Sequence, residues 1–108
     1  MKRGSLVRVA LPGDLGKPRP ALVIQDQALF DTNARVIVVP LTSTLQDAPA
    51  FRITVLPSAA NGLHVPSQAM IDRITSISVD KIGGTIGEID DDVLSAVMRN
   101  LLILLGVK

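Results

Sequence analysis

Apolar residues run through most of the chain in short stretches broken by turn formers. Leu6-Val7-Arg8-Val9-Ala10-Leu11 reads as a first strand, ended by Pro12-Gly13-Asp14. Ala21 to Gln25 reads as a second strand, and Arg35 to Val39 as a third, stopped near Pro40. Phe51-Arg52-Ile53-Thr54-Val55 alternates apolar and polar, as a half-buried strand does. Gln68 to Arg73 and Thr75 to Val79 predict two more short strands, and Gly83-Gly84 predicts a turn. Many short strands with few helices point to a small antiparallel barrel or sandwich. The end of the chain changes period. Asp90-Asp91-Asp92 predicts a helix N-terminus, Leu94, Val97, Leu101, Leu104 and Leu105 follow helical spacing, and Gly106 predicts the stop. From Leu101 to Leu105 every residue is apolar, so this turn is expected to be hidden on all sides, by the barrel or by a second subunit.

The 108 residues fit one domain spanning 1–108, small enough to gain from a partner subunit. With 47% hydrophobic residues, two Phe and no Trp or Tyr, the core must be aliphatic. No apolar stretch is long enough for a spanning helix, and the first residues do not read as a signal peptide, so a cytoplasmic location is expected. The absence of Cys excludes thiol catalysis and Cys-ligated metals. The net charge of +1 is uninformative, but its distribution is not. In the first twenty residues Lys2, Arg3, Arg8, Lys17 and Arg19 face one acid, Asp14, and a basic hairpin of this kind can hold phosphates. The acids Glu88, Asp90, Asp91 and Asp92 read as a solvated helix start.

Candidate chemistry is sparse. There is no zinc-protease motif, no phosphate-binding glycine loop and no serine-hydrolase elbow. The single His64 cannot build a two-histidine ribonuclease site, and its simplest reading is an exposed loop residue. No aromatic residues are spaced to stack bases. Two segments remain. In Gly16-Lys17-Pro18-Arg19-Pro20, the prolines restrict the backbone around Arg19 at a loop–strand junction. A guanidinium held there suits the extra charge of a phosphorane, or simply starts a strand beside a braced turn. In Pro40-Leu41-Thr42-Ser43-Thr44, three hydroxyls gather at a strand end, where they can bind a phosphate oxygen or cap a turn.

In order along the chain, these segments resemble the MazF/PemK toxin family. Lys2-Arg3-Gly4 and Lys17-Pro18-Arg19-Pro20-Ala21-Leu22-Val23-Ile24-Gln25 are similar to its start, and Val38-Val39-Pro40-Leu41-Thr42-Ser43 to its third strand. Pro66-Ser67-Gln68, Asp72-Arg73-Ile74, Lys81-Ile82-Gly83 and Ile86-Gly87 resemble its later strands, and a helix ending in Leu-Gly closes the likeness over nearly the whole chain. The resemblance implies a mainly β, SH3-like small antiparallel barrel with a C-terminal α-helix. It implies a homodimer that cuts single-stranded RNA without a metal or other cofactor. The ribose 2′-OH would attack, leaving a 2′,3′-cyclic phosphate or 3′-phosphate and a 5′-OH. It also implies silencing by a cognate antitoxin of the MazE/PemI kind, contact with operon DNA only through that antitoxin, and no membrane partner.

Carried onto this chain, the catalytic residues are Arg19, Thr42 and Asp72, and the RNA-binding residues are Lys17, Arg19, Ser43, Thr44, Gln68 and Arg73. Arg19 would stabilise the phosphorane and Thr42 would hydrogen-bond a non-bridging oxygen. Because Arg stays protonated, Asp72 is the better candidate base, with pairing to Arg73 or a backbone cap as its other reading. Three positions depart from the family: Ser5 stands where relatives carry an acid, strand one lacks an aromatic, and Met70 falls where Kid-like members place a second active-site Arg. Two rival readings share the fold: a gyrase poison like CcdB, whose C-terminal Trp-Gly-Ile is replaced here by Leu105-Gly106-Val107, and a barrel that binds RNA or protein without cutting. Cut-site choice is expected to reside in loops 12–18, 43–50 and 57–66.

Overall fold

The computed structural model describes residues 1–11, 17–32 and 34–107. The turn expected at Pro12-Gly13-Asp14, and Gly16, lie outside the described residues. Seven strands form one antiparallel sheet: β1 (Ser5–Val9), β2 (Arg19–Val23), β3 (Arg35–Thr42), β4 (Arg52–Val55), β5 (Ser67–Met70), β6 (Thr75–Ser78) and β7 (Ile82–Glu88). A helix, α1 (Asp91–Leu104), ends the chain, and short 3-10 turns cover Gln27–Thr32, Ile71–Arg73 and Val79–Lys81. The hydrogen-bonded path runs β4-β5-β3-β2-β1-β7, with β6 joining the side of β3. The expected mainly β fold with a C-terminal helix is present, and its barrel-like sheet is not closed among the described residues.

The three central strands bury most of both faces, which explains their aliphatic runs, broken in β1 by the exposed Arg8. Leu6, Leu22, Val39 and Leu41 point toward α1 and pack with Ala69, Ile71, Val97 and Leu101. Their neighbours Val7, Val9, Ala21, Val23, Val36 and Val38 point the other way and pack with Ile77 and Phe30.

Several boundaries differ from the sequence reading. β3 does not stop at Pro40 but runs on to Thr42. Its outer flank pairs with β6 from Arg35 to Val38 and with β5 at Leu41 and Thr42. Pro40, which has no N–H to donate, falls in the gap where β3 exchanges one partner for the other. β5 is shorter than the expected Gln68–Arg73 stretch. After Met70 the chain turns, Ile71 buries its whole side chain and its N–H donates to the Phe51 carbonyl (2.8 Å), which leaves Asp72 and Arg73 exposed on a 3-10 turn.

Gly83-Gly84 is not a turn but the bent start of β7, where the β1 pairing shifts register between Arg8 and Val9 and Gly84 takes a φ of +139°. Asp90 takes the N-cap position of α1 without a side-chain cap; Asp92 Oδ1 instead accepts from the Val93 N–H (2.9 Å). Gly106 stops the helix as expected, with φ +80° and bonds from Gly106 N to Ile103 O and from Val107 N to Leu102 O. This is the paired-bond stop that glycine favours. Among the described residues no helix is long and apolar enough to cross a membrane.

The last turn of α1 is not hidden on all sides. Leu101 is buried, but Ile103 is 66% and Leu105 64% exposed, and Leu102 and Leu104 are exposed as well. In one chain the sheet covers a single stripe of the helix.

Loop 57–66 lies directly on β7. Ala60 O accepts from the Glu88 N–H (2.9 Å), and a Cβ on Gly87 would collide with the backbone of Ala60 and Asn61. Gly87→Ala is therefore expected to destabilise the fold by about 1–3 kcal/mol, read as a lower urea midpoint. An unchanged midpoint would show that the loop can lift off β7 at no cost.

Candidate active site

Arg19 opens β2 between Pro18 and Pro20, and Thr42 closes β3. β2 and β3 pair with Ala21 opposite Pro40, Leu22 opposite Val39 and Val23 opposite Val38. Arg19 and Thr42 lie two residues beyond the Ala21–Pro40 pair, at the same end of the two strands. Two residues 23 positions apart are thus brought to the lining of one cleft. Arg19 is half-buried and its Nε is shielded from solvent, so the guanidinium is fixed rather than waving in water.

Thr42 Oγ1 accepts from the Thr44 N–H (3.1 Å). A hydroxyl keeps one O–H donor when its lone pair is used, so this contact orients Thr42 and leaves its proton to donate. The turn-capping reading of the hydroxyl cluster holds at Thr42, which also lines the cleft.

Arg19, Thr42, Lys17, Ser43 and Thr44 all line one cleft of about 640 Å³. Its far wall is loop 57–66, and β1 contributes Arg8. No carboxylate lines it among the described residues, so the cations Arg8, Lys17 and Arg19 face the same space. An opening of this kind concentrates anions. Among the described residues no three His, Asp or Glu side chains come together as a metal-ligand set.

Two buried amides hold the walls. Gln68 accepts from the Gln46 N–H (3.0 Å) and from Arg52 (3.4 Å), and donates to Gln46 O (3.1 Å) and Thr54 Oγ1 (3.3 Å). Gln68 was expected to bind RNA; it is buried beneath loop 43–50, does not line the cleft, and has both ends of its amide engaged. Asn61, also buried, accepts from the N–H groups of Ser58 (3.0 Å) and Leu63 (2.9 Å) and donates to Leu56 O (2.8 Å). It shapes the loop that presents His64.

The remaining expected residues separate. Asp72 is exposed and lines neither this cleft nor its neighbour, whereas Arg73 lines the neighbouring one with Arg19. Met70 is buried and lines that second cleft too. Ser5 is buried, and its Oγ accepts from the Lys2 N–H (3.0 Å), so a small hydroxyl closes the first turn. The sequence reading placed Arg8 in the basic hairpin but not among the RNA-binding residues, and read His64 as an exposed loop residue; His64 is exposed, and both line the first cleft. Arg8 had a signal, being the polar break in an otherwise apolar strand; His64 had none, since only the folded loop brings it to Arg19.

Comparison with known proteins agrees with this geometry. A model of the PemK-like, MazF-like toxins of type II toxin–antitoxin systems matches residues 2–105. A probable endoribonuclease MazF of Mycolicibacterium smegmatis is 39% identical over 108 residues, covering 99% of this chain and 98% of that protein. Among solved structures, a MazE-MazF complex from Deinococcus radiodurans superposes with a TM-score of 0.82 at 27% identity, covering 100% of this chain and 98% of that one. Mycobacterium tuberculosis toxin MazF-mt6 superposes at 0.81 with 23% identity, covering 96% and 98%, a likeness of fold. With its fold, its paired strand ends and these matches in agreement, this chain belongs to the PemK-like, MazF-like toxin family of type II toxin–antitoxin systems.

Proposed function

We propose that the protein is a metal-independent endoribonuclease that cuts single-stranded RNA in the first cleft. The observation that carries this reading is that Arg19 and Thr42, at the same end of two paired strands, line one cationic cleft. The 2′-oxygen attacks phosphorus, the bond to the 5′-oxygen breaks, and that oxygen takes up a proton from solvent, leaving a 2′,3′-cyclic phosphate and a 5′-OH. The Arg19 guanidinium meets the charge that builds on the phosphorane oxygens, and the Thr42 O–H donates to one of them. Lys17, Ser43 and Thr44 hold the flanking backbone. The attacking hydroxyl must lose a proton. His64, the chain's one imidazole, lines the cleft with Arg19 and Thr42, so it is better placed to accept that proton than the exposed Asp72 outside it.

The same reading includes two partners. The exposed apolar end of α1 suits a second copy of the chain, giving a homodimer. The Deinococcus relative is paired with MazE; a cognate antitoxin of this chain, reaching in with an acidic segment, would compete with RNA for the cationic cleft. Operon DNA would be reached only through that antitoxin. The work of such a toxin on messenger RNA would be cytoplasmic.

Purified protein is expected to cut a long single-stranded RNA in excess EDTA. Arg19→Ala should slow cleavage by about 10²–10³, and Thr42→Ala should slow it strongly, with folding retained in both. His64→Gln should slow it more than Asp72→Asn. Gel mapping of the RNA ends is the readout: cleavage lost on chelation and restored by a divalent ion rejects the metal-free mechanism, and a fully active Arg19→Ala rejects the site.

Sedimentation at micromolar concentration is expected to give a dimer. Ile103→Asp, at an exposed position, should give folded monomers. A monomeric wild-type mass contradicts the assembly.

A further inference from the structure

A second cleft, about 550 Å³, opens on the other side of Arg19. Arg35, Arg73 and Lys81 line it with Arg19, and the hydroxyl residues Thr75 and Ser76 complete its polar wall. No carboxylate lines it among the described residues; Asp72 and Asp80 are neighbours in sequence of lining residues but line no part of it. The four cations come from four different places: the start of β2, the start of β3, the 3-10 turn after β5 and the 3-10 turn before β7. Nothing in any one segment gathers them; the fold does.

Two features make this more than a patch of surface charge. Arg35 is anchored across the sheet, with Nε donating to Ser76 Oγ (3.0 Å) and a terminal nitrogen donating to Ser76 O (2.8 Å). Its charge is therefore fixed at the cleft wall. Arg19 lines both clefts, so the two are adjacent openings that share one guanidinium. Met70, Pro40 and Ile77 form the apolar part of the lining, which lowers the local dielectric and strengthens the pull of the cations on an anion.

We propose that this second cleft is a phosphate subsite that holds the RNA backbone phosphate next to the one being cut, through Arg73, Lys81 and the anchored Arg35. The inference rests on the ribonuclease reading and adds to it the path of the strand: RNA crosses β2 at Arg19 and continues toward β6. Arg73 and Lys81 are exposed, so they supply charge to the ligand without serving the core. Contacts of this kind set grip and register on the backbone, not sequence choice.

The test uses RNA oligonucleotides that span a mapped cut and carry a 2′-deoxyribose at the attacked position, so that they bind intact. Binding is followed by fluorescence anisotropy over a range of salt. Paired Arg73→Gln and Lys81→Gln substitutions should weaken binding on the order of tenfold and flatten the slope of log affinity against log salt by about 0.7, the value for one phosphate on a single strand. Replacing one phosphate beside the cut by a neutral methylphosphonate should weaken the wild type by a similar factor and leave the paired variant unchanged. If the pair compromises folding, Lys81→Gln alone should shift affinity and slope in the same direction. A folded variant with wild-type affinity and slope overturns the subsite while cleavage by the wild type keeps the ribonuclease reading intact. A variant that binds RNA normally but loses an acidic antitoxin peptide also overturns it, and assigns the cleft to protein. A wild type that neither binds nor cuts RNA overturns both.

Discussion

Double-sided burial of β1, β2 and β3 is the constraint on which the rest of the molecule depends. Leu6, Leu22, Val39 and Leu41 fill one side, and Val7, Ala21, Val23 and Val38 fill the other. A sheet buried on both faces cannot use alternation of polar and apolar residues to choose its register. The choice falls to the points where the aliphatic runs end. Arg19 and Thr42 are such ends, and the register that pairs Ala21, Leu22 and Val23 with Pro40, Val39 and Val38 leaves both at one end of the strands, lining the cleft. Sliding β2 by two residues would drag the Arg19 charge into the core or push Leu22 out of it, and an uncompensated buried charge costs several kcal/mol. The packing that stabilises the sheet is thus the packing that aligns the site.

The walls of the cleft are held by a different device. Loop 57–66 buries Leu63 in the core, and in loop 43–50 Leu45 stays exposed. Each is tied down by a buried amide, Gln68 for the first and Asn61 for the second, with donor and acceptor both engaged. A buried amide is costly when unsatisfied and specific when satisfied. This arrangement fixes the loop backbone while leaving Ser43, Thr44 and His64 facing the cleft. Glycine assists where loop and strand meet: at Gly87 any side chain would collide with the loop.

Charge is segregated rather than balanced. The chain is nearly neutral overall, yet both clefts are lined by cations with no acid among their described lining residues. The acids Asp90, Asp91 and Asp92 gather at the start of α1, where they match the helix dipole. Net charge therefore hides the field that an anionic strand meets. The apolar end of α1 is a separate surface, which one chain leaves open.

Much of this was legible in the sequence, for local reasons. Aliphatic runs bounded by Pro, Gly and Asn gave the early strands, the change of period after Asp90 gave the helix, and Gly106 gave its stop. The prolines around Arg19 and the hydroxyls at Thr42 marked two segments that the fold brings to one cleft. What the sequence could not decide was every feature set by contact between distant segments. Pro40 stays in its strand because two partners change places beside it. Gln68 turns from ligand candidate into a loop fastener because Gln46 and Arg52 close over it. Asp72 is carried out of the cleft by the burial of Ile71, and His64 is carried in by Asn61. The apolar runs and the helix stop follow from local patterning and short-range sterics, whereas exact strand ends, register and loop docking come from packing summed over the whole sheet, which no single segment encodes.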